Sequence, residues 1–151
     1  MNPQFLNKDL AHKLGYAGLI PFALLALASW LADPAWLGAF IKGQLAYAIL
    51  ILAFLGGVHW GAAMTANLSA QQTRRALQWS VLPALAGWIA TMIGGFGFAL
   101  LIVGFIAAYQ VDRHLYAWYG VPGWMLGLRY KLTCVVVAAL VLTVVAANVR
   151  G

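Results

Sequence analysis

The sequence predicts an all-α integral membrane protein: a single bundle of five transmembrane helices, N-terminus cytoplasmic, C-terminus on the opposite side. Three observations carry this. Charged residues make up 8% of the 151 and apolar residues 64%, whereas a soluble domain of this size carries about a quarter charged residues and needs polar surface to meet water. Apolar runs able to cross a hydrocarbon core of about 30 Å recur along the chain. With five runs marked off as spans, Lys8, Lys13, Arg74, Arg75, Arg113, Arg129 and Lys131 fall on one side and only Lys42 and Arg150 on the other, which is the positive-inside asymmetry.

Residues 1–13 read as a polar leader, and residues 14–32 as the first span. Leader, apolar run and the Ala26-Leu27-Ala28 triplet also fit a cleaved signal peptide, but further membrane segments follow rather than a secreted domain. Asp33-Pro34 stops the helix, because the residue before proline is pushed out of the α region. The second span covers 45–66 and leads into a polar loop with Arg74 and Arg75. From Leu77 to Val111 no charge occurs for 35 positions. One helix of that length would reach about 52 Å, so the run must fold back on itself. Gly94-Gly95 supplies the turn, giving spans 77–93 and 96–111. Asp112 to Arg129 reads as the longest polar connection, an interfacial loop around Pro122-Gly123 with Tyr116, Trp118, Tyr119 and Trp124 at headgroup depth. The last span, 132–147, is rich in Val and Thr, but only a helix satisfies its own backbone in lipid.

The formal charge of +6 does not point to nucleic acid, because the basic residues flank apolar spans and meet anionic headgroups instead. The single cysteine, Cys134, excludes an intramolecular disulfide and reads as a small packing residue. His12, His59 and His114 show no metal-ligand spacing. No Walker, GxSxG, dinucleotide or paired-carboxylate pattern is present. The sequence therefore assigns no catalytic residue, metal or cofactor, and it leans away from an enzyme.

Ionisable groups inside or at the edge of spans are costly and usually face a partner or a cavity. His59 lies seven residues before the cytoplasmic end of its span and shares a helix face with Leu52, Gly56, Ala63 and Ala66. Gly57 and Gly61 mark a second face, and small residues on two sides imply close helices on both. In the fourth span Gly97, Leu101, Gly104, Ala108 and Asp112 form a stripe, and Arg129 shares a face with Thr133. His59, Asp112 and Arg129 thus converge at the cytoplasmic end. One reading is a structural Asp112–Arg129 ion pair; the other is a pocket in which Arg129 holds an anionic or carbonyl-bearing ligand and His59 moves a proton. Trp60 and Trp124 are further candidates beside them. Pro21 and Pro83 are expected to kink the first and third spans, and Trp88, near mid-membrane, either packs the core or lines a cavity.

Leu14-Gly15-Tyr16-Ala17-Gly18-Leu19-Ile20-Pro21-Phe22, Gly56-Gly57-Val58-His59-Trp60-Gly61, Ser80-Val81-Leu82-Pro83 and Pro122-Gly123-Trp124 with Leu128-Arg129 and Leu132-Thr133 resemble the uncharacterised membrane family known as domain of unknown function 3429, which includes transmembrane protein 69. The likeness runs from about Leu14 to Leu142. It implies a small multi-pass protein of a bacterial inner membrane or the mitochondrial inner membrane, and it implies no activity. The family pattern coincides with Pro21, His59, Trp60, Pro83, Asp112, Trp124 and Arg129. The tryptophan-rich sensory proteins share the architecture but not their Trp-Pro strings. The leading functional expectation is a binding protein for a lipid-soluble molecule, a quinone or a lipid headgroup, with the bilayer as its surroundings. A proton-coupled transporter subunit, or a scaffold or assembly factor working as a homo-oligomer or with a membrane-protein partner, is the alternative.

Overall fold

A computed structural model describes residues 8–150, and every regular element within them is helical. In chain order these are α1 (Lys8–Ala17), α2 (Ile20–Leu31), a 3₁₀ turn (Pro34–Trp36), α3 (Leu37–Thr65), α4 (Ala70–Ala90), α5 (Phe96–Tyr119) and α6 (Gly123–Arg150). Four stretches are long and apolar enough to cross a membrane: Lys8–Leu31, Pro34–Thr65, Phe96–Tyr119 and Gly123–Arg150. The 21 residues of α4 are less apolar on average, because its first half carries Gln71, Gln72, Arg74, Arg75 and Gln78.

Local chemistry sets the breaks. The Asp33 side chain accepts a hydrogen bond from the Ala35 N–H at 3.0 Å, and Pro34 opens the 3₁₀ turn behind it. Ser69 and Gln72 form a reciprocal capping box that starts α4. Gly94 and Gly120 adopt φ of 60° and 69°, a left-handed backbone that glycine reaches at no steric cost; they end the α4–α5 turn and cap α5.

The helices alternate in direction. Gln44 donates to the Phe22 carbonyl and Tyr47 to that of Gly18, so α3 runs antiparallel to α2. Leu45 lies beside Gly97 and Leu52 beside Gly104, and His59 meets Asp112, so α3 and α5 run parallel with α4 returning between them. Gly15 of α1 lies beside Leu128 and Leu132 of α6 and Trp30 of α2 donates to the Leu142 carbonyl, which sets α6 parallel to the α1–α2 pass, and Arg150 closes the far end on the Ser29 carbonyl. The core joins Phe22 and Ala26 of α2 to Ala48, Leu52 and Leu55 of α3, Leu101 and Phe105 of α5, and Val136 and Leu140 of α6. Burial is inverted relative to a water-soluble bundle: Gln44, Ser80, Asp112, Arg129 and Thr143 are inside, while Leu24, Leu31, Phe54, Phe96 and Val103 are outside. Such a surface suits hydrocarbon.

Several sequence expectations are corrected. The stretch from Asp112 to Arg129 is not a loop: α5 continues to Tyr119 and α6 begins at Gly123, because closing backbone hydrogen bonds into helix satisfies groups that an interfacial loop would leave to water. Helical structure also extends beyond the expected spans without contradicting them, from Lys8 within the part read as a leader and from Leu37 ahead of the second span; residues 1–7 lie outside the described part. Pro21 does not kink a continuous helix. The chain breaks at Gly18-Leu19 and Pro21 sits in the first turn of α2, where its missing N–H has no intrahelical role. Pro83 does lie inside α4. Trp88 is 61% exposed, two residues from the end of α4 rather than in the core, and Cys134 is also exposed.

The glycines divide. A Cβ on Gly56 would collide with the Ser80 carbonyl oxygen, and one on Gly104 would stand 3.1 Å from Leu52; both are close approaches, as are Gly87 against Ile49 and Gly97 against the Ala90 carbonyl. Gly57 and Gly61, by contrast, have nothing within 4 Å, so among the described residues no second helix packs on that face. Gly56→Leu should destabilise the protein by about 1–3 kcal/mol or more through overpacking, while Gly57→Leu and Gly61→Leu should stay within about 0.5 kcal/mol of wild type, as read from thermal unfolding in detergent.

Candidate functional site

The α3 face carrying Leu52, Gly56, His59 and Ala63 is buried along its length. Gly56 lets α4 approach and Gly104 lets α5 approach, so His59 is carried against the C-terminal half of α5, one helical turn and more before the end of α3. There its Nε2 lies 2.7 Å from Asp112 Oδ1. The other carboxylate oxygen of Asp112 accepts from Arg129 Nε at 2.7 Å. Arg129, two turns into α6, also donates from Nη1 to Thr133 Oγ1 at 3.3 Å. His59, Asp112 and Arg129 are 3%, 1% and 7% exposed. The structure thus brings together three side chains from three helices.

An ionised Asp112 only accepts hydrogen bonds, so His59 Nε2 carries the proton shared with it. His59 Nδ1 is then free to accept from the Tyr119 hydroxyl, 2.8 Å away. The result is a chain from Tyr119 through His59 to Asp112, closed on the far side by Arg129. With a neutral imidazole its net charge is zero, which is the arrangement a low-dielectric interior tolerates. Tyr116 packs beside the imidazole, ring centroids 5.8 Å apart.

Two cavities flank this chain. The larger, about 420 Å³, lies between α1, α2, α3, the end of α5 and α6. Its wall is apolar, from Leu19, Phe22, Val58 and Leu132, and its few polar groups are Tyr116, Tyr119, Arg129 and Thr133. The smaller, about 110 Å³, lies between α3, α4 and α5 against Trp79, Pro83, His59 and Asp112. Three buried polar atoms have no hydrogen-bond partner among the described residues, Gln44 Oε1, Trp124 Nε1 and Arg129 Nη2, and the last of them, a guanidinium donor, belongs to this cluster. Such a donor carries a desolvation cost of about 1–3 kcal/mol or more.

The remaining candidates lie elsewhere. Trp60 is 49% exposed. Trp124 packs on His12 with ring centroids 5.3 Å apart, under the Lys8 ammonium, at the start of α6. Gly57 and Gly61 face outward. Tyr119 joins the chain although it lies within the stretch expected to be a loop; helical spacing from Asp112 and Tyr116 is the signal that places it. The described residues contain no group of three or more His, Cys, Asp or Glu suited to a metal.

An all-helical membrane protein with a buried His–Asp–Arg cluster is the class these features define. The chain belongs to the family described as protein of unknown function DUF3429, whose pattern matches residues 7–145. It is similar to transmembrane protein 69 of Xenopus tropicalis, 37% identical over 131 residues that cover 85% of this chain and 51% of the relative. It is also similar to transmembrane protein 69 of Mus musculus, 29% identical over 136 residues, 88% of this chain and 54% of that protein. The chain therefore spans about half the length of these relatives. No solved structure matches it.

Removing one member of the cluster leaves a buried charge uncompensated, so Asp112→Ala or Arg129→Ala should each cost about 3–5 kcal/mol. The double variant should cost markedly less than the sum. A double-mutant cycle by chemical unfolding in detergent measures this coupling.

Proposed function

We propose that this protein binds a lipid-soluble small molecule in the larger cavity, with Arg129 as the polar anchor. The observation that carries the reading is Arg129 Nη2: a buried, unpartnered guanidinium donor on a residue that lines an apolar cavity of about 420 Å³. That volume falls within the roughly 300–1,000 Å³ usual for ligand sites, which are mostly apolar with a few placed polar groups. A quinone ring or the carbonyl region of a lipid has the required form, an oxygen acceptor on an apolar body. The surroundings are a bacterial inner membrane or the mitochondrial inner membrane, and the open face at Gly57 and Gly61 is where a second copy or a partner helix would pack.

The reading includes five crossings, with α4 as the third. Its Val81, Leu82, Leu85 and Ile89 are exposed, which suits lipid, and the strict alternation of helix direction puts Arg74 and Arg75 on the side of Lys8 and Lys13 with Arg150 opposite. Because Cys134 is the one native cysteine, a Cys134→Ala background with Asn67→Cys or Gly95→Cys tests this. A membrane-impermeant maleimide should label position 95 in right-side-out vesicles and position 67 only in inverted ones.

The Tyr119–His59–Asp112 chain between two cavities favours a second reading, a proton path in a transport subunit. Mass spectrometry of molecules retained in mild detergent separates the two. A defined compound should accompany wild type and be reduced at least about tenfold in Val58→Trp, which obstructs the cavity from one wall and replaces none of the cluster's polar residues. Equal retention of bulk lipid by both, together with His59-dependent proton flux in liposomes, would favour transport instead.

A further inference from the structure

The charge balance of the cluster restricts what its anchor can hold, and the restriction rests on the binding reading above. Arg129 contributes one positive charge, and Asp112, at 2.7 Å from its Nε, already compensates it. Every other group facing His59 is neutral or remote. Tyr116 and Tyr119 of α5 are uncharged phenols, Trp79 and Pro83 of α4 carry no charge, and Arg74 and Arg75 lie a turn or more away toward the start of α4. A carboxylate or phosphate brought to Arg129 Nη2 would therefore be a second anion in a site with a single guanidinium, at a desolvation cost of several kcal/mol that nothing repays. A neutral carbonyl oxygen incurs no such cost. It accepts the idle N–H in a charge-assisted hydrogen bond and leaves Asp112 paired.

We propose that the cavity selects a neutral, carbonyl-bearing amphiphile, a quinone or an acyl ester, and rejects the ionised acid of the same chain length. Anionic lipids and fatty acid anions are excluded from the anchor by charge, not by size. A fatty acid enters only as its protonated form, so its binding is linked to pH while that of its ester is not.

Tritiated hexadecanoic acid and tritiated methyl hexadecanoate, with the same acyl chain and different head charge, test this in a scintillation proximity assay on nanodisc-held protein, with 2-decyl-1,4-benzoquinone as competitor. The ester should bind equally at about pH 6 and about pH 9, and the acid should weaken at least tenfold across that interval. Displacement by the quinone identifies a quinone as the better occupant; failure to displace points to an acyl ester. Arg129→Lys keeps the charge but removes the forked donor, and it should weaken the ester about tenfold. Tighter binding of the ionised acid than of the ester, lost in Arg129→Lys, would overturn the neutral-head selection while leaving a ligand site in place. Absence of saturable binding by both tritiated probes, or binding unchanged in Val58→Trp, would overturn the site itself.

Discussion

Asp112 is held between Arg129 and His59, and the end of the bundle where α3 and α5 finish and α6 begins is organised around that one carboxylate. A lone charge at this depth would cost several kcal/mol; a carboxylate that accepts from a guanidinium and an imidazole at once has its strongest acceptor sites filled. Three helices must converge to achieve this, and the close approaches at Gly56 and Gly104 are what permit it. The polar cluster and the small-residue contacts are therefore one constraint. A helix moved outward by even a side chain's width would separate His59 from Asp112.

That convergence leaves space. Helices α1 and α2 are broken apart at Gly18-Leu19, and the α1 segment leans on Leu128 and Leu132 of α6 through Gly15 rather than on α3. The void between them is apolar and adjoins Arg129. Elsewhere Ser29, Ser80 and Thr143 return their hydroxyls to carbonyls of their own helices, and Gln44 bonds across to α2 through its amide N–H, while its Oε1, like Trp124 Nε1, has no partner among the described residues. Of these orphaned atoms Arg129 Nη2 belongs to a charged group that lines the larger cavity, which is why it stands out.

Much of the arrangement could be read in advance from helical spacing. Leu52, Gly56, His59 and Ala63 fall on one face by arithmetic, as do Gly97, Leu101, Gly104 and Asp112, and both faces are buried. Depth along each span set His59, Asp112 and Arg129 at one end. Hydropathy was less informative at the ends of helices. It counts Asp112, Arg113 and His114 as the beginning of a loop, although a helix that emerges from hydrocarbon has no reason to stop there, and so it missed Tyr119. It also could not show whether a glycine meets another backbone: Gly56 and Gly57 are neighbours in sequence, and only one is packed. That distinction depends on the azimuth of surrounding helices, which no single helix encodes.

The pairing of the first and last passes has a consequence for how the molecule is made. Trp30 bonds to a carbonyl 112 positions later, and Arg150 closes on Ser29 across 121. During synthesis the segment containing α2 enters the membrane with one flank covered only by lipid until α6 has left the ribosome. The bundle can therefore be sealed only as a late event, and a chaperone or insertase that shields α2 in the interim would be occupying the place later taken by α6.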